Sequence, residues 1–402
     1  MNRVVITGAG TINALGVTVP QTLEAMREGR LGIGALDFRD VERLSIKIGG
    51  QVHGFDAEAH FDRQKLGLYD RFTQFTLIAA REAVAQSGLT FSDELAETSG
   101  VVLGTAAGGM NTWDDNFRSV YEEGKNRVHP FVVPKLMTNA ATSHVSIEFN
   151  LQGPSLTVST ACASSNHAIG LAFQMVRSGM ARTMIAGGSE SMLTFGGIKA
   201  WEGLRVMSKT ACRPFSANRS GMVQGEGAGV FVLETYVDAK ARGAGILAEI
   251  VGFSMTSDAS DIVMPNKDGA ARAIRGALRD ARMDMSEIGY INAHGTGTAA
   301  NDKTECAAIA DVFGGHADQL MISSTKSMHG HLIGATGAVE LLACVMALRD
   351  GVIAPTLGYE SADPDCALDV VPNTARDAKV TGVISNAFAF GGMNAVLALK
   401  AV

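Results

Sequence analysis

Short runs of β-branched and small apolar residues, each closing on glycine or passing into a helical stretch, recur along the whole of this 402-residue chain. They are VVITGAG (4–10), VVLGTAAGG (101–109), SLTVSTACAS (155–164), TMIAGGSE (183–190), FVLET (231–235), YINAHGTG (290–297), MISSTKS (321–327) and VISNAFAFGG (383–392). Continuous apolar runs of this length suit strands buried on both faces, and helices between them make a layered α/β protein. One such helix is legible in RFTQFTLIAAREAVAQSG, where Phe72, Phe75, Ala79 and Ala83 share one stripe and Gly88 ends it.

A weak internal repeat accompanies the runs. REAVAQSGL followed by GVVLGT in the first half parallels RGALRDARM followed by IGYINAHGT in the second, and GEGAGVFVLE (225–234) parallels FGGMNAVLALK (390–400). Two related halves packed back to back, 1–250 and 251–402, would explain the pattern.

Composition narrows the class. At 46% hydrophobic residues the chain can bury a large core, and a net charge of −7 disfavours a nucleic-acid partner. Cys162, Cys212, Cys306, Cys344 and Cys366 are few, odd in number and without a CxxC pair, which fits reduced thiols rather than a disulfide framework. MNRVVITGAG reaches Gly8 before a signal-peptide apolar core could form, and no run of about 18 apolar residues occurs. A cytoplasmic enzyme without a membrane span is expected.

Two motifs invite over-reading. VVITGAGTINALG resembles a dinucleotide fingerprint, but Asn13 stands where the third glycine belongs and no acidic residue closes a second strand; a strand ending in a glycine turn is the expectation. His329 and His331, two apart, could begin a zinc site, yet neither Cys306 nor His316 completes a recognised ligand spacing, so no metal is expected.

The remaining chemistry lies in three segments. SLTVSTACASSNHAIGLAFQMVRSG (155–179) is strand, sharp turn and helix, with Cys162 at or near the helix start. There the macrodipole and free N–H groups favour a thiolate and can stabilise an oxyanion; a buried structural cysteine is the alternative. YINAHGTGTAANDKTE (290–305) puts His294 at a strand end, placed for acid–base work or satisfied within its loop. SSTKSMHGHLIGATGAVE (323–340) adds Lys326, His329, His331 and Glu340. A helix-start cysteine with histidines on strand-end loops suggests a thiol enzyme acting on acyl groups.

Together with AGGSE, CRPFSANRSGMVQGEGAG and SNAFAFGGMN, these segments give the chain an end-to-end resemblance to the elongating β-ketoacyl-[acyl carrier protein] synthases of the thiolase superfamily. AANDKTE, HGH and AFGGMNAVLALK particularly resemble the nodulation-type subgroup. The resemblance implies a thiolase fold, five-layered α-β-α-β-α and built from two duplicated halves, the first carrying the nucleophile and the second the two catalytic histidines. It implies Cys162 as acyl acceptor, His294 and His331 as catalytic histidines, Lys326 nearby, and Glu340 as a supporting carboxylate. Phe390 would join Cys162 in the oxyanion hole and gate the second substrate, and Thr296 and Thr298 would grip phosphopantetheine. His329, where many relatives carry threonine, would be a supporting polar residue. Ala107 matches an acyl-pocket position that is often bulkier, with Trp201 as a neighbour that could compensate, and Met393 replaces a common threonine. Arg63, Lys65, Arg71, Arg205 and Lys209 are the cations the resemblance offers for docking an acidic acyl carrier protein. The implied reaction is decarboxylative condensation of malonyl-carrier protein with a Cys-bound acyl chain by a homodimer. It needs no cofactor beyond the phosphopantetheine arriving on the carrier.

Overall fold

The computed structural model describes residues 1–402. The apolar runs form strands, most of them buried along nearly their whole length. In the first half these are β1 (Val4–Asn13), β2 (Ser99–Gly104), β3 (Ser155–Val158), β4 (Thr183–Glu190) and β5 (Gly227–Thr235). In the second they are β6 (Ala248–Ser257), β7 (Ile288–Asn292), β8 (Met321–Ser323), β9 (Gly382–Ala389) and β10 (Met393–Lys400).

The strands lie in the order β3-β2-β4-β5-β1 in the first half and β8-β7-β9-β10-β6 in the second. The order is the same once each strand is replaced by its counterpart. Directions repeat too: β2 is parallel to β3 and β4, as β7 is to β8 and β9. Likewise β5 runs antiparallel to β4 and β1, as β10 does to β9 and β6. The halves join where β1 and β6 pair antiparallel from Val4↔Ile250 to Ile6↔Ala248. The repeat seen in the sequence is thus a repeat of topology.

Among the helices are α1 (Arg71–Ser87), α2 (Met110–Tyr121), α3 (Ser164–Ser178), α4 (Phe195–Leu204), α5 (Lys267–Ala281), α6 (Ala299–Phe313) and α7 (Thr336–Asp350). α3 packs on β2 and β4 and reaches across to β6 and β10, while α7 packs on β7 and β9 and reaches across to β5. Both helices therefore sit between the two sheets. That position explains why α7 is buried without a break from Thr336 to Ala347, as expected of a helix apolar on all sides. α1 covers the outer face of the first sheet and α5 that of the second, giving the expected five layers.

VVITGAG departs from expectation. β1 runs straight through Gly8 and Gly10 instead of turning there, with a register shift between Ile6 and Gly8. A Cβ on Gly8 would lie 2.0 Å from the Ala83 carbonyl oxygen, and one on Gly10 would lie 1.9 Å from that of Ala79. The glycines let α1 lie directly against the strand.

Candidate active site

The turn after β3 sets Cys162. Ala161 adopts φ +47°, a left-handed conformation costing a non-glycine residue about 1–3 kcal/mol, and a 3₁₀ turn over Ala161–Ala163 leads into α3. The second half repeats the device: Ile333 has φ +48°, and a 3₁₀ turn over Ile333–Ala335 leads into α7. α3 begins at Ser164, two residues after Cys162, as the expected helix-start position requires. The backbone N–H groups of Phe390 and of Cys162 itself favour the charged form of the sulfur.

His294 follows β7. Its N–H and that of Gly295 donate to the two oxygens of buried Glu305, each at 2.8 Å, and the Asn386 side chain donates to the same carboxylate at 3.1 Å. His331 is clamped by its own N–H to the Val223 carbonyl at 2.7 Å and by the Gly225 N–H to its carbonyl at 2.9 Å. Around the ring, the N–H of Ile333 donates to Nδ1 at 3.1 Å and the Thr336 hydroxyl lies at 2.8 Å. A nitrogen that accepts from an N–H cannot carry hydrogen, so the ring hydrogen of His331 resides on Nε2. That nitrogen is buried without a partner. The Cys162 sulfur and a ring nitrogen of each histidine lie within 4.8 Å of one another, with the rings edge-to-face at 84° and 5.4 Å between centroids.

Electrostatics follow from burial. Lys326 is wholly buried and its Nζ meets Glu340 Oε1 at 2.6 Å. Burial pushes Glu340 up to about 7, opposed by the lysine charge. Burial lowers both His294 and His331 well below the ordinary imidazole value, and Lys326 lowers them further. Burial pushes the Cys162 thiol up to about 11, opposed by Lys326 and the two N–H groups. Desolvation thus opposes the thiolate that the helix start favours, and it favours neutral imidazoles at His294 and His331. A soft metal would want lone pairs from both rings, whereas His331 presents an N–H.

Residues 1–239 match the family described as Beta-ketoacyl synthase, N-terminal domain, and residues 247–360 match Beta-ketoacyl synthase, C-terminal domain. The chain belongs to the β-ketoacyl synthase family. The synthase is 46% identical over 400 residues to Nodulation protein E of Rhizobium sp. (strain N33), spanning 100% of this chain and 99% of that protein. It is 42% identical over 405 residues to 3-oxoacyl-[acyl-carrier-protein] synthase 2 of Staphylococcus aureus (strain N315), spanning 99% of this chain and 98% of that protein. A solved type II PKS ketosynthase in complex with its acyl-carrier protein superposes with a TM-score of 0.91 at 31% identity, spanning 100% of this chain and 99% of that one. The synthase is a condensing enzyme of the acyltransferase class, with the thiolase fold and a nodulation-type relationship.

In the synthase a cavity of about 160 Å³ brings together Cys162, His294, His331, Thr296, Phe390 and Trp201, and Thr298 also lines it. The Thr296 and Thr298 hydroxyls lie 2.8 Å apart, and Trp201 stacks on Phe390 with centroids 5.9 Å apart. Ala107 is not brought in. It lines a separate cavity of about 610 Å³ beside Trp113, Phe117 and Tyr121 of α2. His329 is satisfied at both nitrogens, Nδ1 by the Gly330 carbonyl at 2.7 Å and Nε2 by Thr325 at 2.9 Å, which leaves it no free atom for substrate.

Arg63, Lys65, Arg205 and Lys209 are exposed. Arg71 is removed from the docking candidates: its guanidinium is engaged by buried Glu226 at 2.6 and 2.9 Å. Two carboxylates escaped the sequence reading, Glu190 and Glu305, both wholly buried. The signal was present, since each is an acid set where the surrounding small and apolar residues demand burial (AGGSE and NDKTECAAIA).

Proposed function

We propose that the synthase condenses malonyl-acyl carrier protein with an acyl chain held on Cys162, releasing CO2 and a 3-oxoacyl chain two carbons longer on the carrier. The observation that carries this reading is the shared cavity in which the Cys162 sulfur faces two neutral imidazoles. An incoming acyl thioester is attacked by the Cys162 sulfur as a neighbouring imidazole takes its proton. The carrier thiol leaves with that proton, and splitting the condensation this way divides one hard step into two easier ones.

The malonyl carrier then binds. Its carboxylate carbon–carbon bond breaks, CO2 departs, and the electron pair becomes an enolate whose charge gathers on the thioester oxygen. His331 Nε2–H and the His294 ring donate to that oxygen in a site that excludes water. The enolate carbon attacks the acyl carbonyl, whose oxygen is received by the N–H groups of Cys162 and Phe390. Collapse breaks the carbon–sulfur bond, and one proton from solvent restores the thiol.

In this reading Lys326, paired with Glu340, supplies a fixed positive charge near the nucleophile. Thr296 and Thr298 hold the phosphopantetheine arm, Trp201 and Phe390 flank it, and the carrier docks on Arg63, Lys65 and Arg205. The carrier as partner is supported by the name of the Staphylococcus relative and by the ketosynthase complex. No other cofactor enters the scheme. A homodimer is supported by exposed Phe131, Val133, Met137 and Ile147, apolar side chains that water would otherwise cover. No helix is long and apolar enough to cross a membrane, and a cytoplasmic location completes the proposal. Two units of duplication close to the expected halves 1–250 and 251–402 are proposed, with the junction moved from residue 250, which lies inside β6, to the 236–247 connection.

Cys162→Ala, assayed for carbon–carbon bond formation from acyl- and malonyl-carrier protein, tests the reading. Condensation should be lost, and full retention would remove it.

A further inference from the structure

Glu190 closes β4 with no exposed surface, and no step above uses it. Its Oε2 accepts the N–H of Ala106 at 2.7 Å and that of Gly334 at 3.1 Å. Its Oε1 accepts the Thr105 hydroxyl at 3.0 Å and the Ala107 N–H at 3.2 Å. Residues 105–107 follow β2 in the first half and Gly334 precedes α7 in the second, so one carboxylate ties the two halves together. A carboxylate only accepts, which matches it to four donors.

Gly334 is the neighbour of Ile333, the residue with φ +48° whose N–H donates to His331 Nδ1. The approach is close: a Cβ on Gly334 would lie 2.5 Å from the Ala106 nitrogen and 2.6 Å from Glu190 Oε2. Holding the Gly334 N–H therefore fixes the peptide next in line to the Leu332–Ile333 peptide, whose own N–H selects the His331 tautomer.

We propose that Glu190 is a positioning residue for His331: by gripping the Ile333–Gly334 turn it keeps Nδ1 an acceptor and Nε2–H turned into the cavity. This rests on the decarboxylation role proposed for His331. Loss of the carboxylate would free the turn, let the ring exchange tautomers or rotate, and weaken the donor exactly where the enolate forms, while leaving the Cys162 sulfur and its N–H pair in place.

Glu190→Gln keeps the shape but sets an amide N–H against a backbone N–H whichever way it turns, so at least one donor loses its acceptor. Malonyl-carrier decarboxylation should fall about 10- to 100-fold, the usual cost of losing a supporting contact. Acylation of Cys162 should stay close to wild type. ¹⁵N NMR of histidine-labelled protein should show the single Nε2–H form of His331 giving way to a mixture. Gly334→Ala, which pushes the carboxylate away from the other side, should reproduce the split if Glu190→Gln fails to fold. Unchanged decarboxylation, or equal losses in both partial reactions with an unaltered His331 signal, overturns the proposal in either variant. His331→Ala, run alongside, separates the two ideas: if it still decarboxylates malonyl-carrier protein, the role proposed for His331 itself is wrong, whatever Glu190 does.

Discussion

The backbone N–H of Ile333 donates to Nδ1 of His331 at 3.1 Å, and this one contact decides which face of the imidazole is acidic. An Nε2–H without a protein partner is a donor held in reserve for a charge that appears during reaction.

His331→Ala removes that donor. Decarboxylation of malonyl-carrier protein should drop about 10²- to 10³-fold, the range for loss of one preorganised donor at a developing oxyanion. Acyl transfer to Cys162 should be affected much less. The two partial reactions, followed separately by CO2 release and by mass spectrometry of the acylated protein, check this; equal losses would count against it.

Two pH dependences follow from burial. A thiol pushed up to about 11 holds less thiolate at every pH than a free cysteine near about 8.5, so alkylation by iodoacetamide should still be climbing around pH 10. Imidazoles lowered well below 6.5 stay neutral as the medium becomes mildly acidic, which leaves His294 able to take the Cys162 proton and His331 an Nε2–H donor. The acid limb of kcat/KM should therefore lie well below pH 6.5, the ordinary imidazole value. An alkylation midpoint near about 8.5, or an acid limb at the ordinary imidazole value, would contradict the buried assignment.

Lys326 and Glu340 are mutually dependent charges with almost no exposure. Lys326→Met strands the carboxylate and should destabilise the fold by about 3–5 kcal/mol, whereas Lys326→Met with Glu340→Leu should recover much of the loss. Denaturant unfolding of wild type, both single variants and the double variant measures the cycle. A double variant no better than the worse single would argue against a desolvated pair.

Much of the architecture was legible because the local signals agree. Apolar runs predicted the strands other than β6 and β10, the stripe Phe72, Phe75, Ala79 and Ala83 predicted α1, and GEGAGVFVLE and FGGMNAVLALK proved to be the counterpart strands β5 and β10. Where the reading failed, a distant neighbour was responsible. Gly8 and Gly10 looked like a turn because nothing nearby in sequence shows that Ala79 and Ala83 press against them. Arg71 looked like a free surface cation because Glu226, its partner, lies far along the chain.

The residue string alone determined the layered α/β class, the sharp turn that carries Cys162 and the polar loops that carry His294 and His331, because spacing and residue type act over a few positions. Only the packed molecule decided that these three side chains share one water-poor space, that burial opposes the charge on the sulfur, and that Glu190 links the halves. Proximity and desolvation depend on which sheets stack and which helices lie between them, and those are properties of long-range packing that no short stretch of sequence contains.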